Sequence, residues 1–460
     1  MNFYKNGIND FNYDNVIDYM KRVSDGSKIN GETNVDVNGV PFFSRCDFPI
    51  PSQIPLPATD VYKTAQGQAP ILVSDGMIYF PFSYLGTSFV GAGILKLNSN
   101  NLNESILLSH SSNPTDYLSL AGAVGGDYYC LIPDGRIIST TAGRSGDITK
   151  IAYIDSRKAD ALKFDWNVIP STSTGLLSST WGNPIYNKKH NCVYFAPSGN
   201  NFDATDSWVR LNVNTDPFTL ETYSFNYNAT DFYSDKYKFA VQTKNNRIFL
   251  LPHSVTSGSI TTTKFHYIDC SGDNPTVVAY DIGGMIPQLY GSGTPYQGGV
   301  YIPELDRIYL IPHYQMRDTT NKRLHYISNC STSPSIVMYN HTSSDPFTTT
   351  GAYTNGLYIG NGLIFLIPTG QCTQAKLHLL DVYNNNLISY NTFLRPLNPS
   401  PVNEKVDTWI AGATLVDDKI FFSFRDGTRI TNQVSWFYLR LNHNVSFNRE
   451  FTSHSLKLNS

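Results

Sequence analysis

The residues best equipped for chemistry in this chain are histidines that recur at matching places. His266, His325 and His378 are the third residues of KFHYID, RLHYIS and KLHLLD. A repeated imidazole can ligate a metal or carry a proton. Here no Asp or Glu accompanies the three, they lie a whole repeat apart, and the other copies of the phrase carry Leu95, Ala152, Val209 and Leu439. That pattern predicts satisfied histidines buried between repeats, not ligands. A second set, His253 and His313, directly follows Pro252 and Pro312. Together with Arg144, Tyr314, Arg317 and Arg425 they form a candidate ligand-binding face on the long polar loops. Tyr84, Arg136, Phe202 and Asp203 are expected on the same face. The alternative is a solvated rim, because loop polarity is also what water demands.

Catalytic constellations are not found. A glycosidase needs two carboxylates from inner strands. The chain has six Glu, and its apolar segments APILVSD, YIGNG and GATLVDD carry acids only at their turns. No SxDxGxTW, GxSxG or HExxH phrase occurs, and FRDGTRI at 424–430 lacks the serine and tryptophan of the first. DCSGDN at 269–274 lacks the alternating ligands and closing glutamate of a calcium loop. Six Cys without a CxxC pair make neither a disulfide framework nor a zinc site. No catalytic residue, metal or cofactor is therefore expected.

What must position the loop residues is a repeat. An apolar phrase ending in proline recurs as MIYFP, YCLIP, VYFAP, IFLLP, IYLIP and IFLIP, then as IFFSF, placing Pro81, Pro133, Pro197, Pro252, Pro312, Pro368 and Phe424 in register. Turn formers precede it at Asp75-Gly76, Gly125-Gly126-Asp127, Asn245-Asn246, Asn361-Gly362 and Asp417-Asp418, supplying the positive φ of tight hairpins. A third strand follows as GILKLN, KIAYID, SWVRLN, KFHYID, RLHYIS, KLHLLD and FYLRLN. Residues 264–281 and 323–340 align without a gap and share His, Tyr, Ile, Pro, Val and Tyr. Four antiparallel strands repeated seven times predict an all-β, seven-bladed β-propeller over residues 63–460. Alternation puts Leu97, Ile154, Leu211, Ile268, Ile327, Leu380 and Leu441 on one face, expected to pack on the next blade. Short first-to-second turns and long polar second-to-third loops (134–148, 198–206, 253–263, 313–322 and 425–433) make the two faces of the ring unequal.

Composition agrees. Aromatic residues are 13% of 460, charged residues 15%, and Gly and Pro number 33 and 25. This is a β-rich balance rather than a disordered one. A net charge of −3 gives no footprint for nucleic acid, and no run of 18 apolar residues exists to insert in a membrane. The first thirty residues lack the apolar core of a signal peptide, so the chain is expected to be soluble or part of a virion. Residues 1–62 read as a separate extension: Val16, Ile17, Met20 and Val23 at helical spacing, a hairpin at 35–43 around Asn38-Gly39, then Pro49, Pro51, Pro55 and Pro57 in a stiff connector. Two readings stand for it. It caps the ring or adds a strand to it, or its helix docks the ring onto a larger assembly.

The repeats NNRIFLLP…KFHYID and LDRIYLIP…RLHYIS resemble those of kelch-like and NHL-like propellers. The resemblance implies fold alone, since the WD dipeptide and the regular kelch double glycine are missing. With 42 Asn, 30 Tyr and six Glu, the chain also resembles propeller modules of phage virion proteins. That resemblance implies a non-enzymatic tail, neck or fibre-associated component. Its expected partners are other virion proteins through the N-terminal extension and a host-surface glycan or protein through the loops, within a symmetric assembly. A cellular carbohydrate- or protein-binding adhesin is the alternative.

Overall fold

The computed structural model describes residues 43–47, 61–63, 71–72, 76–85, 90–101, 104–110, 128–140, 151–155, 163–164, 167–168, 180–198, 207–224, 237–252, 264–281, 296–312, 323–340, 353–368, 376–391, 409–425 and 434–441. They form seven sheets. Blade 1 holds Ile71–Leu72, Met77–Leu85, Val90–Asn98 and Ser105–His110, its sheet extended to six strands by Val61–Lys63 and by Lys163–Phe164, which runs parallel to Ser105–His110. Blade 2 holds Tyr128–Leu131, Arg136–Thr140, Ile151–Asp155 and Asn167–Val168. Blade 3 is Thr180–Asn187, Cys192–Ser198, Ser207–Asn212 and Thr219–Ser224. Blade 4 is Tyr237–Gln242, Arg247–Pro252, Lys264–Asp269 and Thr276–Asp281, and blade 5 is Tyr296–Ile302, Arg307–Pro312, Arg323–Ser328 and Ser335–Asn340. Blade 6 is Tyr353–Gly360, Leu363–Pro368, Lys376–Asp381 and Asn386–Asn391. Blade 7 runs Trp409–Val416, Lys419–Arg425 and Val434–Leu441, and its outer strand is Phe43–Asp47 from the other end of the chain. Each first strand contacts the first strand of the next blade, and that of blade 7 contacts that of blade 1, so the seven sheets close a ring. This is the seven-bladed all-β propeller that the repeat predicts.

The hairpin turns obey local chemistry. Gly76, Asn246, Asn361, Gly362 and Asp417 all have positive φ, as their residue types allow. Five first strands share a register shift near their start, at Trp181/Pro184, Tyr237/Phe239, Tyr296/Gly299, Tyr353/Asn355 and Ile410/Gly412. In blades 5, 6 and 7 a glycine sits at or just past it, Gly299, Gly356 and Gly412. A Cβ on Gly299 would lie 2.6 Å from Leu251 Cδ1 of blade 4, and one on Gly356 would lie 2.7 Å from Ile311 Cδ1 of blade 5. Glycine is required there because the preceding blade fills the space.

The same contacts orient the blades. Ile308, beside the Gly299 position, pairs with Ile327, and Ile364, beside Gly356, pairs with Leu380. The row Leu97, Leu211, Ile268, Ile327 and Leu380 is buried as expected. In blades 5 and 6 it faces the preceding blade, not the next one. Ile420 pairs with Leu439, so in blade 7 Leu439 and not Leu441 holds the equivalent place.

The proline phrase needs two corrections. YCLIP lies on the first strand of blade 2, because the hairpin turn there is Asp134-Gly135, with Gly135 at φ 90, and the second strand is Arg136–Thr140. The second-to-third connection of that blade therefore starts after Thr140, not at residue 134. Pro81 lies inside Met77–Leu85, between the places where Ile71–Leu72 and Val61–Lys63 pair with that strand. It interrupts no ladder on that edge.

Phe43 pairs with Leu441 and Asp47 with Phe437, antiparallel. Of the two readings of residues 1–62, strand addition is thus realised by 43–47. The expected helix with Val16, Ile17, Met20 and Val23, the hairpin before Phe43 and the proline connector lie outside the described residues, as does Gly125-Gly126-Asp127. Among the described residues no helix is long and apolar enough to cross a membrane.

Candidate functional site

Antiparallel order puts first-to-second and third-to-fourth turns on one face of the ring and second-to-third loops on the other. On the loop face the second strands of blades 4, 5 and 6 end at Pro252, Pro312 and Pro368, and their third strands begin at Lys264, Arg323 and Lys376. Long connections therefore span 253–263, 313–322 and 369–375, whereas the opposite turns at 243–246, 303–306 and 361–362 are short. Arg425 ends its strand on the loop face, its backbone paired with Trp409 and Val434. Arg144, His253, His313, Tyr314 and Arg317, with Phe202 and Asp203, lie outside the described residues. Tyr84 is in the second strand of blade 1, paired with Tyr62 and Gly91.

The recurring strand histidines are core residues, as their neighbours predict. His266, His325 and His378 are 2%, 1% and 1% exposed. Each Nδ1 meets a tyrosine hydroxyl at the start of the first strand of its own blade: Tyr237 at 2.8 Å, Tyr296 at 2.8 Å and Tyr353 at 2.6 Å. The rings stand edge to face at 87°, 81° and 88°. Burial pushes the Tyr237 and Tyr296 hydroxyls far above their usual range, which keeps them protonated and able to donate. No group of three or more His, Cys, Asp or Glu side chains that could hold a metal occurs among the described residues. The tyrosines were legible too, since each stands fifteen or sixteen residues before a strand-ending proline (Pro252, Pro312 or Pro368).

Arg136 moves to the other face. It opens the second strand of blade 2 at the short turn and is 8% exposed. Its Nε donates to Asp134 Oδ2 at 2.7 Å, and its guanidinium lies 3.7 Å from the Phe218 ring centroid of blade 3. It is consumed in blade packing because YCLIP is a first strand.

Arginines hold the same strand position in blades 4 and 5, the first reaching the next blade and the second stacking within its own. Arg247 lies 4.9 Å over Tyr267, pairs with Asp269 at 3.4 Å and donates to Cys330 O of blade 5 at 2.9 Å. Arg307 lies 4.6 Å over Tyr326. Blade 3 exchanges the parts. There Cys192 opens the second strand, and Arg210 of the third strand pairs with Glu221 at 2.7 Å. Burial works against ionisation of Glu221, yet Arg210 and Asn212 outweigh it and hold the carboxyl below its usual range. His190 links this cluster onward, with Nδ1 at 2.7 Å from Tyr194 Oη and Nε2 at 2.7 Å from Gly272 O of blade 4. Lys189 donates to Ser271 O beside it. The described short-turn face is thus a belt of polar clasps between blades.

The buried thiols are inert. Burial pushes Cys192 up to about 11 and Cys270 and Cys330 up to about 12, so none is an available thiolate at neutral pH.

No protein-family model matches the sequence, and no characterised protein matches it by sequence. Among solved structures, the chain is similar to the polysaccharide lyase Uly1 at 9% identity and TM-score 0.48, covering 92% of this chain and 95% of that one. It is similar to the Cps50 (Swd1) β-propeller domain of Myceliophteria thermophila at 8% identity and TM-score 0.44, covering 81% and 97%. It is also similar to Sqt1 of Chaetomium thermophilum at 9% identity and TM-score 0.44, covering 82% and 88%.

Proposed function

We propose that this chain is a non-enzymatic interaction platform of a virus particle, a structural or host-receptor-binding component associated with its tail, neck or fibres. The observation that carries the reading is the inequality of the two faces. In blades 3 to 6 one face carries short turns clasped blade to blade, and the other joins the ends of rigid strands by longer connections, where binding residues commonly sit. The abundance of Asn and Tyr beside six Glu supports a virion setting. The loop face is the partner surface, with Arg144, His253, His313, Tyr314, Arg317 and Arg425 as contact residues. Residues 1–42, which enter the ring at Phe43 on the outer edge of blade 7, are the attachment segment.

The test is to isolate the chain from its native source and follow it by size-exclusion chromatography with mass spectrometry. Co-migration with capsid or tail proteins is expected. A free monomer would overturn the virion reading and favour a cellular adhesin. A chain lacking residues 1–42 should fold and fail to incorporate; normal incorporation would remove the docking role.

A further inference from the structure

A flat aromatic ring on the short-turn face has no part in the reading above. Tyr383 is 52% exposed and, with Met338, is one of two large apolar side chains so exposed among the described residues. It stands two residues beyond the third strand of blade 6. The amide one residue earlier, Val382 N, caps the Gly362 carbonyl, as Ser99, Val213, Cys270 and Cys330 cap theirs. By that correspondence the equivalents of Tyr383 are Asn100, Asn214, Ser271 and Ser331. Only blade 6 of these five places an aromatic ring here.

The backbone is shaped to receive it. Gly362 has φ +73, and a Cβ there would collide with Cδ2 and Cε2 of Tyr383, so the Gly362 backbone covers one side of the ring. The turn is fixed by Asp381, whose Oδ1 accepts from the Tyr383 amide at 3.0 Å and the Asn384 amide at 3.1 Å. Its Oδ2 accepts from Asn384 Nδ2 at 2.7 Å. On the other flank, Tyr358 Oη accepts from Gly362 N at 3.3 Å and donates to Glu304 Oε1 of blade 5 at 3.2 Å. Glu304 and Asn384 are both exposed. Gly362 thus joins two groups across the boundary of blades 5 and 6, the Glu304–Tyr358 pair on one flank and the Tyr383 ring with Asn384 on the other.

We propose that Tyr383, flanked by Glu304 and Asn384, is a saccharide-binding subsite that takes a neutral pyranose with its C–H face laid on the ring. An aromatic face is electron-rich and attracts the weakly positive C–H edge of a sugar, while carboxylate and amide groups around it suit vicinal hydroxyls. The carboxylates of Glu304 and Asp381 select against acidic sugars. The subsite lies opposite the loop face and does not depend on the loop face having a partner.

The experiment exposes the full chain to an array of neutral oligosaccharides ending in glucose, galactose, mannose or N-acetylhexosamine, with sialylated ones as contrast. The strongest neutral hit is then titrated against Tyr383→Phe and Tyr383→Ser. The serine variant copies what Ser271 and Ser331 do at this position, so its fold is retained. We expect Tyr383→Phe to bind as the wild type and Tyr383→Ser to lose about tenfold or more in affinity, with an unchanged melting midpoint. No neutral hit, or equal binding by Tyr383→Ser, overturns the proposal. A hit lost on Tyr314→Ala and Arg317→Ala but kept in Tyr383→Ser would assign the glycan to the loop face, leaving the proposed function standing and this subsite refuted.

Discussion

Asn183 of blade 3 grips the backbone of Ala240 in blade 4 from both sides: its Nδ2 donates to Ala240 O at 3.0 Å, and its Oδ1 accepts from Ala240 N at 2.5 Å. The amide behaves as one more strand residue laid against the next blade, and Ala240 is only 4% exposed. Replacing Asn183 with Leu leaves a buried donor and acceptor unmade. We expect a loss of about 2 kcal/mol or more in urea unfolding. A loss under about 0.5 kcal/mol would show that water replaces the side chain.

The Tyr237–His266 pair gives a sharper test, because each partner satisfies the other in a dry place. His266→Phe strands the Tyr237 hydroxyl and should cost about 1–3 kcal/mol. Adding Tyr237→Phe removes the stranded group, so the double variant should be more stable than the sum of the singles predicts. Strict additivity in the cycle would mean that the bond contributes nothing.

Gly299 tests blade spacing. A methyl group there meets Leu251 Cδ1 at 2.6 Å and Tyr309 O at 3.2 Å. Gly299→Ala should destabilise by about 1–3 kcal/mol, and Leu251→Ala in the same chain should recover part of it by opening room. Failure of Leu251→Ala to compensate would place the strain in the backbone.

Fold was legible wherever local chemistry agrees with the repeat, and it failed where the phrase drifts. In blades 3 to 6 proline falls four residues after the buried Val193, Ile248, Ile308 and Ile364, and in these blades the strand assignment holds. In blade 1 it comes one residue early, and in blade 2 it belongs to the preceding strand, because Asp134-Gly135 is the stronger hairpin signal. That slip carried Arg136 to the wrong face. The buried histidines were readable because Leu, Ala and Val stand in their place elsewhere. Arg247 reaching Cys330 O spans two repeats, and nothing in the local pattern of either repeat encodes such a contact. That the N-terminal extension adds a strand was one of its two readings, but neither Phe43–Asp47 nor its partner strand could be placed, because that partner lies nearly 400 residues away in sequence.

Asp306 should dominate a local part of the acid limb. Burial opposes its ionisation, but hydrogen bonds from Ser331 N and Oγ and from Tyr301, with the Lys244 charge, outweigh it and depress its folded value below the ordinary 3.8. A depressed carboxyl contributes stability that is present above the unfolded value and is lost as pH falls through the folded one. Asp306→Asn should therefore lower stability at pH 7 and flatten its decline below about pH 4. Parallel pH profiles for the two chains would dismiss the role.

The outer strand of blade 7 separates ring closure from attachment. Phe43–Asp47 pairs along Val434–Leu441, and without it that strand becomes an exposed edge with unpaired backbone groups. A chain lacking residues 1–42 keeps the pairing and should melt with the full chain's midpoint. A chain lacking residues 1–47 loses it, and should melt several degrees lower and elute in larger species as open edges find one another. The contrast between the two deletions carries the meaning, because they differ by five residues that all lie in this strand. Identical melting of the two would show that Val434–Leu441 holds blade 7 without its partner. The N-terminal segment would then be free to serve attachment along its whole length.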